Sequence, residues 1–183
     1  MLVRTGLGIA FAATTLAVAP NASATTFPIG TIPNFYISSG TPFSKSITAI
    51  FGNGFNTQTP FDDSFTFTIP FYSGVGSGSL STSFSSPVNH LTISQLYING
   101  TLFSVPSTSS GQSVTVGGIP IAAGVLNTIR VVGTSGPAGG SYSGTATFSA
   151  TVPETATWAM MLGGFALLGT VLRRRQVKLN YAN

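Results

Sequence analysis

Hydrophobic and polar residues alternate along the middle of the chain, between Thr25 and Val152. Runs rich in Val, Ile, Thr and Phe are separated by Gly, Pro, Ser and Asn. A period of two residues is typical of strands with one buried face, and short strands at this spacing are typical of a β-sandwich. We therefore expect an all-β domain, an antiparallel and jelly-roll-like β-sandwich. The pattern predicts eight strands: Phe43–Phe51, Ser64–Phe71, Gly78–Phe84, Leu91–Ile98, Thr101–Val105, Ser113–Val116, Val125–Thr134 and Ser141–Val152.

The clearest local signal is a β-hairpin in LTISQLYINGTLFSV. Asn99-Gly100 separates two alternating runs, and this dipeptide is favoured in type I′ turns because both central residues need a positive φ. The stretches Ser73–Ser86 and Gly133–Ser143 are rich in Gly and Ser. We expect loops or weak edge strands at both places.

One segment, TPFDDSFTFTIPF, places aromatic residues on a common face. Its odd-numbered positions share one side of an extended strand: Phe61, Phe65, Phe67, Ile69 and Phe71. Asp63 has the same parity, and a carboxylate on a core face is costly unless it is hydrogen-bonded. We therefore expect Asp63 to lie at the entrance of the strand and to accept backbone amides of a turn.

The N-terminus has the order of features found in a secretory signal peptide. A short positive segment ending at Arg4 precedes the apolar run Leu7–Ala19, and Pro20 then breaks the helix. Small residues at the end of such a segment form a cleavage site for signal peptidase. The predicted signal peptide covers 1–24 and implies export by the Sec machinery. The residues of the predicted cleavage site are Ala22, Ala24 and Thr25.

The C-terminus contains an uncharged apolar stretch, Ala156–Leu172, followed at once by basic residues. As a helix it would be about 25 Å long, near the lower limit for crossing a bilayer core. Trp158 lies at one edge of the stretch, and Arg173, Arg174 and Arg175 form a stop-transfer cluster at the other. This predicts a single transmembrane helix over 156–172. The positive-inside rule places the basic tail in the cytoplasm and 25–152 outside it.

Charge is scarce and lies mainly at the two ends of the chain. The sequence has 7 Lys+Arg and 3 Asp+Glu in 183 residues. Between Thr25 and Val152, Lys45 and Arg130 are balanced by Asp62 and Asp63. Because this region has no basic patch to neutralise a row of phosphates, the sequence excludes nucleic acid as a partner.

The inventory of reactive residues argues against an enzyme. His90 is the one histidine, cysteine is absent, and no G-x-S-x-G occurs. The two carboxylates of the middle region are adjacent and should point to opposite sides of a strand, whereas a glycosidase needs two carboxylates facing one sugar. We predict no catalytic residue, no cofactor and no transition-metal site. A calcium site at Asp62 and Asp63 is the remaining alternative, although no D-x-D-x-D loop supports it.

The run VPETATWAMMLGGFALLGTVLRRRQ resembles the PEP-CTERM sorting signal, in its PEPxxWA form, of secreted proteins of Gram-negative bacteria. Pro153-Glu154 and Trp158-Ala159 match the motif, the apolar helix follows, and the arginines close it. Thr155 stands where the family usually has a second proline. The resemblance implies an exosortase in the inner membrane that cleaves near the motif and transfers the protein to the cell surface, often alongside exopolysaccharide production.

A second short motif, Phe61-x-Asp63-x-Phe65, resembles the FxDxF group of PEP-CTERM proteins, whose passenger domains have no assigned biochemical activity. The predicted organisation is thus a signal peptide at 1–24, a β-sandwich passenger at 25–152 and a sorting segment at 153–183. The predicted function is that of an exported, membrane-tethered surface or extracellular-matrix protein without enzymatic activity.

The alternative is a carbohydrate-binding or, with less support, an ice-binding module on the same anchor. Ice-binding faces carry regular Thr-x-Thr arrays, whereas Thr66-x-Thr68 and Thr145-x-Thr147 are isolated pairs in the sequence. Sugar binding would need exposed aromatic side chains, for which the sequence offers four tyrosines in the passenger without placing them: Tyr36, Tyr72, Tyr97 and Tyr142.

Overall fold

The computed structural model describes residues 22–86, 88–151 and 155–174, and within these it contains two six-stranded β-sheets and one helix. The first sheet has the order β1-β4-β11-β7-β6, with β8 also pairing with β7: β1 (Ser23–Pro28), β4 (Pro60–Thr68), β11 (Leu126–Ser135), β7 (Asn89–Ile98), β6 (Phe84–Ser86) and β8 (Thr101–Phe103). The second has the order β2-β3-β12-β5-β10-β9: β2 (Phe35–Ser39), β3 (Ser46–Phe55), β12 (Gly140–Ala150), β5 (Gly74–Thr82), β10 (Gly111–Ile121) and β9 (Ser107–Thr108). The all-β prediction is confirmed. Among the described strands, β1 departs from an antiparallel arrangement because it pairs with β4 in parallel.

The core lies between the two sheets, and Phe65 is at its centre. The Phe65 ring lies 5.3 Å from that of Phe27, 5.6 Å from Phe35 and 5.2 Å from Phe51, measured between centroids. Phe35 and Phe51 belong to the second sheet and Phe65 to the first, so aromatic packing joins the sheets. The predicted common face is confirmed for Phe61, Asp63 and Phe65 within β4 and for Ile69 just after it, all buried, while Phe67 is half-buried. Phe71 lies in the loop after β4 and is exposed.

The hairpin predicted at Asn99-Gly100 is confirmed. Ile98 on β7 pairs with Thr101 on β8, and two residues connect them. The φ angles of Asn99 and Gly100 are +49° and +81°, as a type I′ turn requires.

The Gly- and Ser-rich stretch Ser73–Ser86 was predicted as a loop or a weak edge strand around the predicted strand Gly78–Phe84. The strand is confirmed with shifted bounds, but its place at an edge was wrong. Most of the stretch forms β5, which lies inside the second sheet between β12 and β10. Glycine suits this strand because neighbouring backbone comes very close: a Cβ on Gly78 would lie 2.3 Å from the carbonyl oxygen of Thr145. Likewise, Gly133–Ser143 contributes the end of β11 and the beginning of β12 rather than one continuous loop.

The eight predicted strands occur at their expected places with shifted bounds. β3 begins at Ser46 rather than Phe43, because Ser44 donates its amide to the Thr41 carbonyl oxygen and closes a turn there. β10 is longer than predicted and contains a bulge between Val116 and Ile119. The sequence pattern missed β1, β2 and the short β6 and β9, which have few alternating apolar residues.

A helix, α1 (Thr155–Arg174), follows the sandwich and occupies the positions predicted for the membrane-spanning segment. Every side chain described in it, at 157–173, is exposed. Within the described residues, no helix is both long and apolar enough to cross a membrane. The predicted signal peptide lies outside the described residues except at 22–24. The predicted cleavage site falls at the beginning of β1: Ala22 precedes this strand, and Ala24 and Thr25 lie within it.

Candidate functional site

A buried carboxylate, Asp63, is the centre of the most unusual polar cluster in the described core. Its side chain is 1% exposed. The Tyr142 hydroxyl donates a hydrogen bond of 2.5 Å to Asp63 Oδ2, and Asn53 Nδ2 donates one of 2.9 Å to the same oxygen. The prediction that Asp63 accepts turn amides at the strand entrance was therefore wrong. Asp63 is the fourth residue of β4 and points into the core, where side chains of the opposite sheet reach it.

The register of the second sheet aims both donors at Asp63. Tyr142 on β12 and Asn53 on β3 are direct cross-strand partners, so their side chains lie on the same face. The Tyr142 ring stacks on Phe61 at 5.4 Å between centroids. Asn34 Nδ2 donates to Asn53 Oδ1 at 3.2 Å, and this fixes the amide with its nitrogen toward the carboxylate. The cluster thus ties the two sheets together through polar contacts.

Burial dominates the electrostatics of this cluster. It raises the pKa of the Asp63 carboxyl above its usual value, and the nearby Asp62 charge raises it further, while the hydrogen bonds from Tyr142 and Asn53 act in the opposite direction. Burial and the Asp63 carboxylate also raise the pKa of the Tyr142 hydroxyl far above its usual value. Tyr142 therefore remains a proton donor at neutral pH.

The raised pKa predicts a specific pH dependence of stability. Between the pKa of Asp63 in the unfolded chain, about 3.9, and its higher value in the folded chain, the folded state binds more protons. The free energy of unfolding therefore falls as pH rises through this window. Asp62 has a lowered pKa, so its contribution has the opposite sign and is lost as pH falls.

The measurement is urea unfolding between pH 3 and 7, in an Asp62→Asn background that removes the opposing contribution. We expect Asp63→Asn to abolish the fall in stability with rising pH, because no ionisable group remains at this position. Equal pH slopes in the background and in the double variant would contradict the assignment.

Asp62 points the other way, onto the outer surface of the first sheet, as its adjacency to Asp63 predicted. Arg130 donates from Nε to Asp62 Oδ1 at 2.7 Å and from Nη2 to Oδ2 at 2.6 Å. The Arg130 guanidinium carbon lies 5.5 Å from the centroid of the Tyr97 ring. Because the two aspartates lie on opposite faces and each has its own partners, they cannot hold one calcium ion together. Among the described residues, no group of three His, Asp or Glu side chains is placed to bind a metal.

His90 is the second residue of β7. Its ring lies 6.3 Å from the Phe84 ring, and its buried Nδ1 has no hydrogen-bond partner among the described residues. Gly136 packs against it: a Cβ at that glycine would lie 2.8 Å from His90 Nδ1. His90 is thus packed into the edge of the first sheet.

The four tyrosines considered for sugar binding lie in different parts of the sandwich, with Tyr72 in the loop after β4, packed against a buried cluster that includes Ile47 and Phe148. Tyr142 is buried, Tyr97 lies beside Arg130 on the outer surface of the first sheet, and Tyr36 belongs to β2 of the second sheet.

Two further features were not visible in the sequence. Thr145 and Thr147 are joined by hydroxyl hydrogen bonds of 3.0 and 2.6 Å to Ser79 and Ser77 on β5. An apolar cavity of about 80 Å³ lies between the sheets.

The residues of the predicted sorting signal lie partly within the described structure. Trp158 and Ala159 are in the first turns of α1, and Trp158 is more than half exposed. Arg173 and Arg174 form its last turn. Pro153, Glu154 and Arg175 lie outside the described residues. Phe61 and Phe65, which flank Asp63 in the second motif, both pack against Tyr142.

Comparison with known proteins gives no family. No family model matches the chain, and no curated protein matches it. A β-glucosidase from Kluyveromyces marxianus, solved as a crystal structure in complex with glucose, is similar over 61% of this chain and 12% of its own, with 14% identity. Its TM-score is 0.28, which is too low to support an argument on fold or function.

Proposed function

We propose that this chain is an exported surface or extracellular-matrix protein without enzymatic activity. Its jelly-roll-like sandwich is the passenger, α1 holds the precursor at the inner membrane, and the segment around Pro153-Glu154 and Trp158-Ala159 is read by an exosortase. The observation that carries the proposal is the exposure of α1. All of its described side chains, at 157–173, are exposed although most are apolar.

An exposed helix of this kind needs an apolar surrounding. Met160, Leu162, Phe165, Leu168 and Leu172 are each more than half exposed. A contiguous apolar surface of this size is unfavourable in water and is typical of contact with lipid or protein. Trp158 at the start and arginines at the end are the residues that favour the membrane interface.

The polar groups of the sandwich support a structural role for the passenger. The Asp63 carboxylate is closed off from solvent by Tyr142 and Asn53, and the Asp62 carboxylate is engaged by Arg130. Neither is free to act as a nucleophile or a general base on a substrate. Both clusters instead join strands that are distant in the sequence.

The sorting proposal predicts that Glu154→Ala prevents shortening of the protein. The measurement is the mass of the surface protein in a host with its exosortase and in a host lacking it. We expect the wild-type chain to lose its tail only when the exosortase is present, whereas Glu154→Ala retains the tail through Asn183. Because the change leaves α1 intact, the variant should still fractionate with the membrane.

Thr155→Pro is the matched control, since it restores the residue usual at that motif position. It should be shortened at least as efficiently as the wild type. A full-length tail on the wild-type chain in both hosts, with the protein in the membrane fraction, would contradict exosortase sorting. It would leave α1 as a permanent anchor.

A further inference from the structure

Three loops meet at the end of the sandwich where the chain leaves toward α1. They are 40–45 between β2 and β3, 69–73 between β4 and β5, and 122–125 between β10 and β11. Ala150 donates its amide to the Lys45 carbonyl oxygen at 2.7 Å, and Thr151 donates to the Ser73 carbonyl oxygen at 3.1 Å. The Ala123 amide donates to Ser73 Oγ at 3.0 Å. We call this group of loops, with Leu126 at the start of β11, the helix-side end.

The helix-side end exposes large apolar side chains at its loop tips. Phe43 is 61% exposed and Phe71 is 68% exposed, and their ring centroids are 5.5 Å apart. Val125 on the third loop and Leu126 at the start of β11 are also more than half exposed. Scattered exposed apolar residues need no explanation, but an aromatic pair beside two aliphatic side chains forms a patch that favours a partner.

The loop that carries Phe43 is held in place rather than loose. Thr41 and Ser44 exchange hydrogen bonds: the Ser44 amide donates to the Thr41 carbonyl oxygen, and the Thr41 amide donates to Ser44 Oγ. The Phe43 amide donates to Thr41 Oγ1 at 3.3 Å. Since the backbone turn is closed, Phe43 is presented outward with little further loss of conformational freedom.

The length of the connection keeps this patch close to α1. β12 ends at Ala150 and α1 begins at Thr155, and five residues of extended chain span at most about 18 Å. Trp158 lies one turn into α1 and prefers the membrane interface. The charge of the patch also suits a membrane: Lys45 is the one charged residue in 40–45, 69–73 and 122–126, and a cation near the surface is attracted by anionic lipids.

We propose that the helix-side end lies on the lipid surface, with Phe43 and Phe71 inserted at the headgroup level beside the helix. This inference rests on the proposed membrane attachment of α1 and adds a second point of contact. Two contacts on one chain fix the orientation of the sandwich, because the second contact is intramolecular and has a high effective concentration. The predicted mature N-terminus at Thr25 and the loops 56–59 and 136–139 then face away from the membrane.

The test is fluorescence of single-tryptophan variants of the full chain bound to vesicles. The vesicles contain phosphatidylethanolamine, phosphatidylglycerol and a doxyl-labelled phosphatidylcholine that quenches nearby tryptophan. The native chain has one tryptophan, Trp158, which reports on α1. In a Trp158→Phe background, Phe71→Trp and Phe43→Trp each report on the helix-side end. Val88→Trp is the control, because Val88 is 55% exposed and precedes β7 at the opposite end.

We expect Trp158, Trp at 71 and Trp at 43 to lose most of their fluorescence to the doxyl lipid and to shift to shorter wavelength. Trp at 88 should change little. Quenching of Trp158 without quenching at 71 and 43 would overturn the surface contact and leave the attachment of α1 intact. A blue shift at 71 and 43 that follows protein concentration without doxyl quenching would also overturn it, in favour of a second copy. Absence of quenching at every position would contradict both proposals.

Discussion

Asp63→Ala is expected to lower the free energy of unfolding by about 3 kcal/mol, since each buried polar group left without a partner costs about 1–3 kcal/mol. Two donors lose their acceptor in this variant, the Tyr142 hydroxyl and Asn53 Nδ2. Tyr142 is itself buried, so water cannot replace the carboxylate without opening the core. Urea unfolding of the full chain in one detergent, at neutral pH, measures the difference.

Asp62→Ala is the matched control because it removes the neighbouring carboxylate from the outer surface. Its ion pair with Arg130 is partly exposed, and such pairs contribute about 0–1 kcal/mol. Tyr142→Phe in the Asp63→Ala background should restore part of the lost stability, because it removes one of the orphaned donors. Equal and small losses for both alanine variants would show that the Asp63 cluster does not hold the sheets together.

The period of two in the sequence predicted the buried face of β4, but it could not predict which groups donate hydrogen bonds to the carboxylate on that face. Asp63 stood out as an anomaly because it shares the parity of the phenylalanines. Its strongest partner, Tyr142, is 79 residues away, and only the pairing of β12 with β3 places that hydroxyl opposite β4. The sequence alone suggested backbone amides of a turn as the hydrogen-bond donors. In the folded chain the donors are the side chains of a tyrosine and an asparagine. The Asp62–Arg130 ion pair was not predicted for the same reason, since 68 residues separate the two side chains in the sequence.

Composition misled at β5 because Gly and Ser favour loops in isolation. In the folded sheet, Gly78 has the carbonyl of Thr145 so near that no side chain would fit without a shift of backbone. Serine residues on the same strand hydrogen-bond to threonines of β12, so a stretch that was predicted as a loop or a weak edge strand forms a polar outer face. The strand is therefore specified by its neighbours rather than by its own propensity.

The sequence was more informative at the C-terminus, where the positions of the helix agree with the apolar stretch within one or two residues. A long uncharged apolar run needs no tertiary partner to be recognised. The apolar run does not show whether lipid or another protein covers it, because both make favourable contacts with apolar side chains. The test of membrane attachment therefore uses the basic residues that follow the apolar run.

Replacing Arg173, Arg174 and Arg175 by glutamine is expected to release much of the precursor from the membrane. Each arginine near the surface contributes about 1 kcal/mol of attraction to anionic lipids, so three contribute roughly 3 kcal/mol, or more than a hundredfold in binding. The same side chains resist transfer across the bilayer, at about 2.5–3.5 kcal/mol each. The neutral variant should therefore appear in the medium or the periplasm, and a tag after Asn183 should become accessible to protease outside the cytoplasm.

The triple lysine variant separates charge from the particular side chain. Lysine keeps the positive charge without the planar guanidinium, so the lysine variant should remain with the membrane as the wild type does if charge alone retains the tail. Unchanged retention of the glutamine variant, with its tag still protected, would show that the apolar residues of α1 hold the precursor without help from the cluster. Release of both variants would point instead to a partner that recognises arginine itself, and the attraction to lipid would then not be the force that keeps the chain in place.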